Sequence, residues 1–80
     1  MQNTHETLGM RIKALREAKG WDIFTLSLNA EVREQTLRTW EEGRRVPNDI
    51  HMLARVAAAL GTTTDYLITG VAPGSKRGAA

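Results

Sequence analysis

The chain has 80 residues, a net charge of +2 and no cysteine. That length holds one domain with a small core, and without cysteine neither a disulfide framework nor a thiolate metal site can form. The start, Met1 to Thr7, is polar, unlike a secretory signal, and the longest apolar run, Val56 to Leu60, is far too short to span a bilayer. The expectation is a cytoplasmic protein with no membrane association.

Residues 1–6 read as a flexible N-terminal arm. A first helix is expected from about Thr7 to Lys19. Leu8, Ile12, Leu15 and Ala18 recur on one face, and Gly20 stops it. Asp22 caps a second helix that reaches about Ala30, with Leu26 and Ala30 inward. Val32 fills the turn that follows. A third helix runs from about Glu34 to Glu42, with Leu37 and Trp40 inward and Gly43 as its end. Arg44 to Pro47 is a loop, because proline and the residue before it disfavour helix. Asn48 or Asp49 caps a fourth helix whose buried stripe is Ile50, Leu53, Ala54, Ala57 and Leu60, ended by Gly61. Thr63 or Thr64 caps a short fifth helix, with Tyr66 and Leu67 inward and Gly70 as its stop. Residues 71–80 read as a disordered tail or linker. No segment alternates with strand period, so the fold class is all-α.

The stretch from Asp22 to Trp40 carries the functional signal. Two short amphipathic helices are joined by only a few residues, as in a helix-turn-helix. The second presents Arg33, Glu34, Gln35, Thr36, Arg38 and Thr39 outward. These side chains read base edges and grip phosphates, so double-stranded DNA is the expected partner. Gln35 stands out, since its amide can bond N6 and N7 of adenine together. Glu34 either accepts from cytosine N4 or supplies negative charge to the helix N-terminus. Arg33 and Arg38 suit guanine or phosphate, and Thr36 and Thr39 a thymine methyl or a phosphate. The bland reading of these arginines is weak surface pairing with Glu34, Glu41 or Glu42. Trp21 and Trp40 fall on inward positions and read as core. His5 and His51 have no further His or Cys to form a metal site, and no nucleophile–base–orienter set is visible. Neither an enzyme nor a cofactor is expected.

The run Leu8 to Gly20, Leu26-Ser27, Leu37, Trp40-Glu41-Glu42-Gly43 with following basic residues and Pro47, Ala57 to Gly61 and Asp65-Tyr66-Leu67 together resemble the Cro/C1-type helix-turn-helix regulators. The resemblance covers roughly Leu8 to Gly70. It implies a compact five-helix domain of the lambda-repressor-like type over residues 7–70, with the third helix in the major groove. It also implies a homodimer on a palindromic operator. A transcriptional repressor follows as the first reading. The alternative is an antitoxin or other protein-binding module with secondary DNA binding, and a protein antagonist is a further candidate partner.

The resemblance also assigns single residues. Arg44 and Arg45 fall in the loop that lies along the DNA backbone in this family, and Arg11 and Lys13 are weaker candidates for contact. Arg16 and Glu41 fall at positions that form a partly buried structural ion pair. Three positions differ from the usual pattern: Ile23 stands where a phosphate-gripping Gln is common, Glu31 where the turn has Gly, and Arg33 where a Ser or Thr caps the third helix. Ile23, Phe24 and Leu28 replace polar residues at outward positions. Phe24 and Leu28 share one face, which suggests a protein contact. The bland reading is that the termini cover them or that they edge the core.

Overall fold

The computed structural model describes residues 7–71. These form α1 (Leu8–Ala18), α2 (Ile23–Ala30), α3 (Glu34–Glu41), α4 (Ile50–Leu60) and α5 (Thr64–Thr69), with no strand among them. The expected arm lies outside the described residues, as does the expected tail beyond Val71.

Local chemistry sets the helix starts. Thr7, Asp22, Asp49 and Thr63 each accept a backbone N–H of the first turn, relieving donors the helix itself leaves unpaired. Asp49 rather than Asn48 caps α4, taking the amides of His51 and Met52. Thr63 rather than Thr64 caps α5. Only α3 begins without a side-chain cap, as its leading residue Arg33 has no acceptor to offer.

One core joins the helices. Ile12, Leu26, Leu37, Val56 and Leu67 are its fully buried large side chains, with Ala30, Val32, Trp40, Leu53, Ala57 and Leu60 around them. Leu8, Leu15, Trp21, Ile23, Met52, Ala59 and Tyr66 close its edges. The expected stripes need four corrections. Ile50 is 74% exposed, and Ala18 and Ala54 are exposed too, while Val56 is buried. Ile50 is the first residue of α4 and sits beyond the reach of the neighbouring helices. Deeper in α4 the packing selects Leu53, Val56, Ala57 and Leu60.

Two devices fix α1 against α3. Gly9 is buried where α1 crosses the end of α3, and a Cβ there would collide with the carbonyl oxygen of Trp40. The Arg16 guanidinium also meets the Glu41 carboxylate through two bonds, Nε to Oε2 at 2.8 Å and Nη2 to Oε1 at 2.9 Å. Both side chains are largely buried, with 11% and 6% of their surface exposed. Arg16 Nη1 donates to the Trp21 carbonyl at 2.7 Å, so the same group ties down the bend between α1 and α2. The bond to Glu41, opposed by burial, raises the Arg16 pKa still further above its already high ordinary value.

Arg11 packs against the end of α5. Its Nη1 donates to the carbonyls of Leu67, at 2.7 Å, and Ile68, at 3.4 Å, capping the C-terminal end of α5. A cation suits that negative helix end.

Candidate nucleic-acid interface

Helices α2 and α3 are joined through Glu31, Val32 and Arg33. Glu31 adopts the left-handed conformation, with φ 59° and ψ 44°. It is the one non-glycine residue with positive φ among those described. Its amide and that of Val32 both bond the Ser27 carbonyl, and Val32 is buried below the turn. Arg55 of α4 reaches over, its Nε donating to the Ala30 carbonyl at 3.2 Å and its Nη2 to the Glu31 carbonyl at 3.4 Å. A strained turn is thus held from below by Val32 and from the side by a cation at the end of α2.

Leu37 and Trp40 pin α3 to the core. That leaves Arg33, Gln35 and Arg38 exposed and Glu34, Thr36 and Thr39 half-buried. The Thr39 hydroxyl donates to the Gln35 carbonyl at 2.8 Å. Glu34 lies in the first turn, where the helix dipole favours a carboxylate.

The chain leaves α3 through Gly43, at φ 77°. The Arg44 amide bonds the Thr39 carbonyl and the Gly43 amide bonds that of Trp40, the Schellman pattern. This sharp exit folds the following loop back beside α3. The two enclose an open cleft of about 340 Å³ lined by Gln35, Thr36, Thr39, Trp40, Arg45, Val46, Asn48 and Met52. Gln35, Thr36, Thr39 and Arg45 are therefore brought together. Arg33, Glu34 and Arg38 remain on α3 but outside the cleft, and Arg44 turns to Glu42, with Nε 3.1 Å from Oε1. Arg33, Arg38 and Arg45 form no ion pair with the described residues.

Val46, Asn48 and Met52 also line the cleft without having stood out in the sequence. Asn48 had a visible signal, being the polar neighbour that loses the cap position to Asp49. The other two depend on how the loop folds back.

On α2, Phe24 is 54% exposed and Leu28 62% exposed. Ile23 is half-buried and packs against the core, so it does not belong to an outward face. Trp21 is half-buried, with the Lys19 ammonium 5.0 Å above its ring. Among the described residues, no group of three or more His, Asp or Glu side chains is placed to hold a metal ion. No helix among them is long and apolar enough to cross a membrane.

Known structures share this arrangement. The N-terminal DNA-binding domain of SinR from Bacillus subtilis is 30% identical, with a TM-score of 0.73 over 79% of this chain and 91% of that one. The P22 c2 repressor in complex with a synthetic operator is 27% identical, with a TM-score of 0.77 over 84% of this chain and all of that one. A complex of the SinR and SinI proteins contains a chain 28% identical, with a TM-score of 0.74 over 79% of this chain and 61% of that one. No curated protein matches the chain. The helix-turn-helix domain family matches residues 9–73, which takes in all of α2 to α5 and nearly all of α1. With its five helices in the lambda-repressor-like arrangement, the chain belongs to the helix-turn-helix domain family, among regulators of the Cro/C1 type.

Proposed function

We propose that the protein is a sequence-specific transcriptional repressor that acts in the cytoplasm as a homodimer on a palindromic operator. Residues 7–70 form the DNA-binding domain. The observation that carries this reading is the outer face of α3, where Gln35, Thr36 and Thr39 border one cleft with Arg45. Gln35 and Glu34 read base edges. Arg33 and Arg38 bind guanine or phosphate, Thr36 and Thr39 a thymine methyl or phosphate, and Arg44 and Arg45 the backbone. The buried Arg16–Glu41 pair holds α3 on its support without touching DNA. Binding, not catalysis, is the activity, and repression follows from occluding a promoter. The SinR domain and the P22 c2 repressor, a DNA-binding domain and an operator complex, support this reading.

The exposure of Phe24 and Leu28 favours a second role for α2, a protein contact to a partner subunit or an antagonist. The SinR–SinI complex shows a similar chain in a protein assembly.

Selection of bound sequences from random duplex DNA by the purified protein tests the proposal. Enrichment of a palindrome is expected. An enriched single half-site would remove the symmetric dimer. No enrichment at all would overturn DNA reading and leave the α2 face as the functional surface.

A further inference from the structure

Val46 is the most exposed large apolar side chain among the described residues, at 78%. It lies in the same cleft as Gln35, Thr36 and Thr39. Several constraints hold it there. The Gly43 turn anchors the start of the loop on the carbonyls of α3, and the Asp49 cap anchors its end. Pro47, half-buried, restricts the backbone of Val46 to extended conformations. The branched side chain of Val46 has few rotamers of its own. A rigid pair of methyl groups thus stands in water beside an amide and two hydroxyls, where it gains little from its own fold.

In the major groove, thymine is the only base whose edge carries a methyl group. We propose that Val46 forms the apolar seat for the 5-methyl group of one thymine per half-site, beside the base read by Gln35, with Arg45 on the adjoining phosphate. This rests on α3 being the recognition helix. It adds a specificity position read by the loop and not by the helix. The partner is double-stranded DNA with thymine at one fixed position. Burial of one methyl group corresponds to about a fourfold change in affinity.

The test uses the full chain and a duplex chosen from random DNA. Each thymine is replaced in turn by deoxyuridine, which lacks only the methyl group. Affinities are measured for the unaltered protein, Val46→Ser and Val46→Thr, which keeps one methyl and the branch. One deoxyuridine position per half-site should cost the unaltered protein about fourfold, Val46→Thr less and Val46→Ser nothing. A loss of similar size in all three proteins would overturn the proposal, as would no loss at any thymine. So would a fall in the affinity of Val46→Ser that is the same with thymine and deoxyuridine. Failure to obtain any enriched duplex is a separate result, which overturns the recognition-helix reading and this inference with it. Thermal unfolding should be unchanged by either substitution, because Val46 is outside the core.

Discussion

At the scale of single residues, Gln35 and the Arg16–Glu41 pair mark two kinds of dependence. Gln35 is exposed and makes no contact that the fold needs, so its loss should show only in binding. Gln35→Ala should lower affinity for the selected site by roughly 1–3 kcal/mol and relax one base position per half-site. Non-specific affinity should hardly move, and competition assays with altered sites would show it. The ion pair behaves in the opposite way. Removing one partner leaves a buried charge without compensation, which costs far more than an exposed pair is worth. Arg16→Ala or Glu41→Ala should destabilise the domain by roughly 3–5 kcal/mol, read from thermal or urea unfolding without DNA. A loss below about 1 kcal/mol would mean that water reaches the pair in solution.

At the scale of elements, helix α2 carries a capped start and a strained end. The Asp22 carboxylate accepts the Thr25 amide at 2.8 Å, and this bond holds its pKa below its ordinary value of 3.8. A folded-state pKa below the unfolded one stabilises the protein above the unfolded value. That contribution disappears as pH falls from about 3.8 through the folded value. Asp22→Asn keeps a capping oxygen but cannot titrate. Its acid-unfolding curve should therefore be less steep than that of the unaltered protein below that pH, with little difference near neutrality. At the other end, Glu31 sits in a conformation that costs an L-residue roughly 1–2 kcal/mol. Glycine escapes that cost but gains freedom in the unfolded chain, worth roughly 0.5–1 kcal/mol. The balance favours Glu31→Gly by about 0.5–1 kcal/mol, visible as a higher Tm. The hold of Arg55 on the Ala30 and Glu31 carbonyls shows how the turn is kept in place despite its residue.

At the scale of the whole molecule, a net charge of +2 is too small to mark a nucleic-acid binder. Its distribution matters more. Arg33, Arg38, Arg44 and Arg45 are exposed on α3 and the loop behind it, whereas Arg11 and Arg16 are spent on helix ends and a buried pair. Binding should weaken steeply with salt, as several cations displace counterions from DNA. Arg44→Ala should weaken binding to every sequence alike and lower the slope of log K against log salt by about 1. Leaving Glu42 without its partner in that variant costs little, because both side chains are exposed. A changed base preference in the variant would place Arg44 on a base.

The sequence by itself determined the helices, because their signals are local. A capping oxygen, a glycine past the last turn and an apolar face each act within a few residues, as at Asp22, Gly43 and the Leu37–Trp40 face. The outward set on α3 was legible for the same reason, since a helix that buries Leu37 and Trp40 must present Gln35 and Arg38 elsewhere. The left-handed turn residue was located only through the family resemblance, which places a turn glycine where this chain has Glu31. What needed the tertiary structure depends on partners far away in the chain. Ile50 and Ala54 fit a buried stripe, yet only the neighbouring helices decide how much of α4 is covered. Ile23 looked outward in α2 but packs on the core, leaving Phe24 and Leu28 as the exposed pair. The bond of Arg11 to the Leu67 carbonyl at the end of α5 joins residues 56 apart in the chain. Gly9 and Val46 carried no periodic signal. One is set by how closely α1 crosses α3, the other by a loop that turns back along α3. Such positions are fixed by contacts between segments distant in the chain, and the pattern of neighbours within any one segment does not encode them.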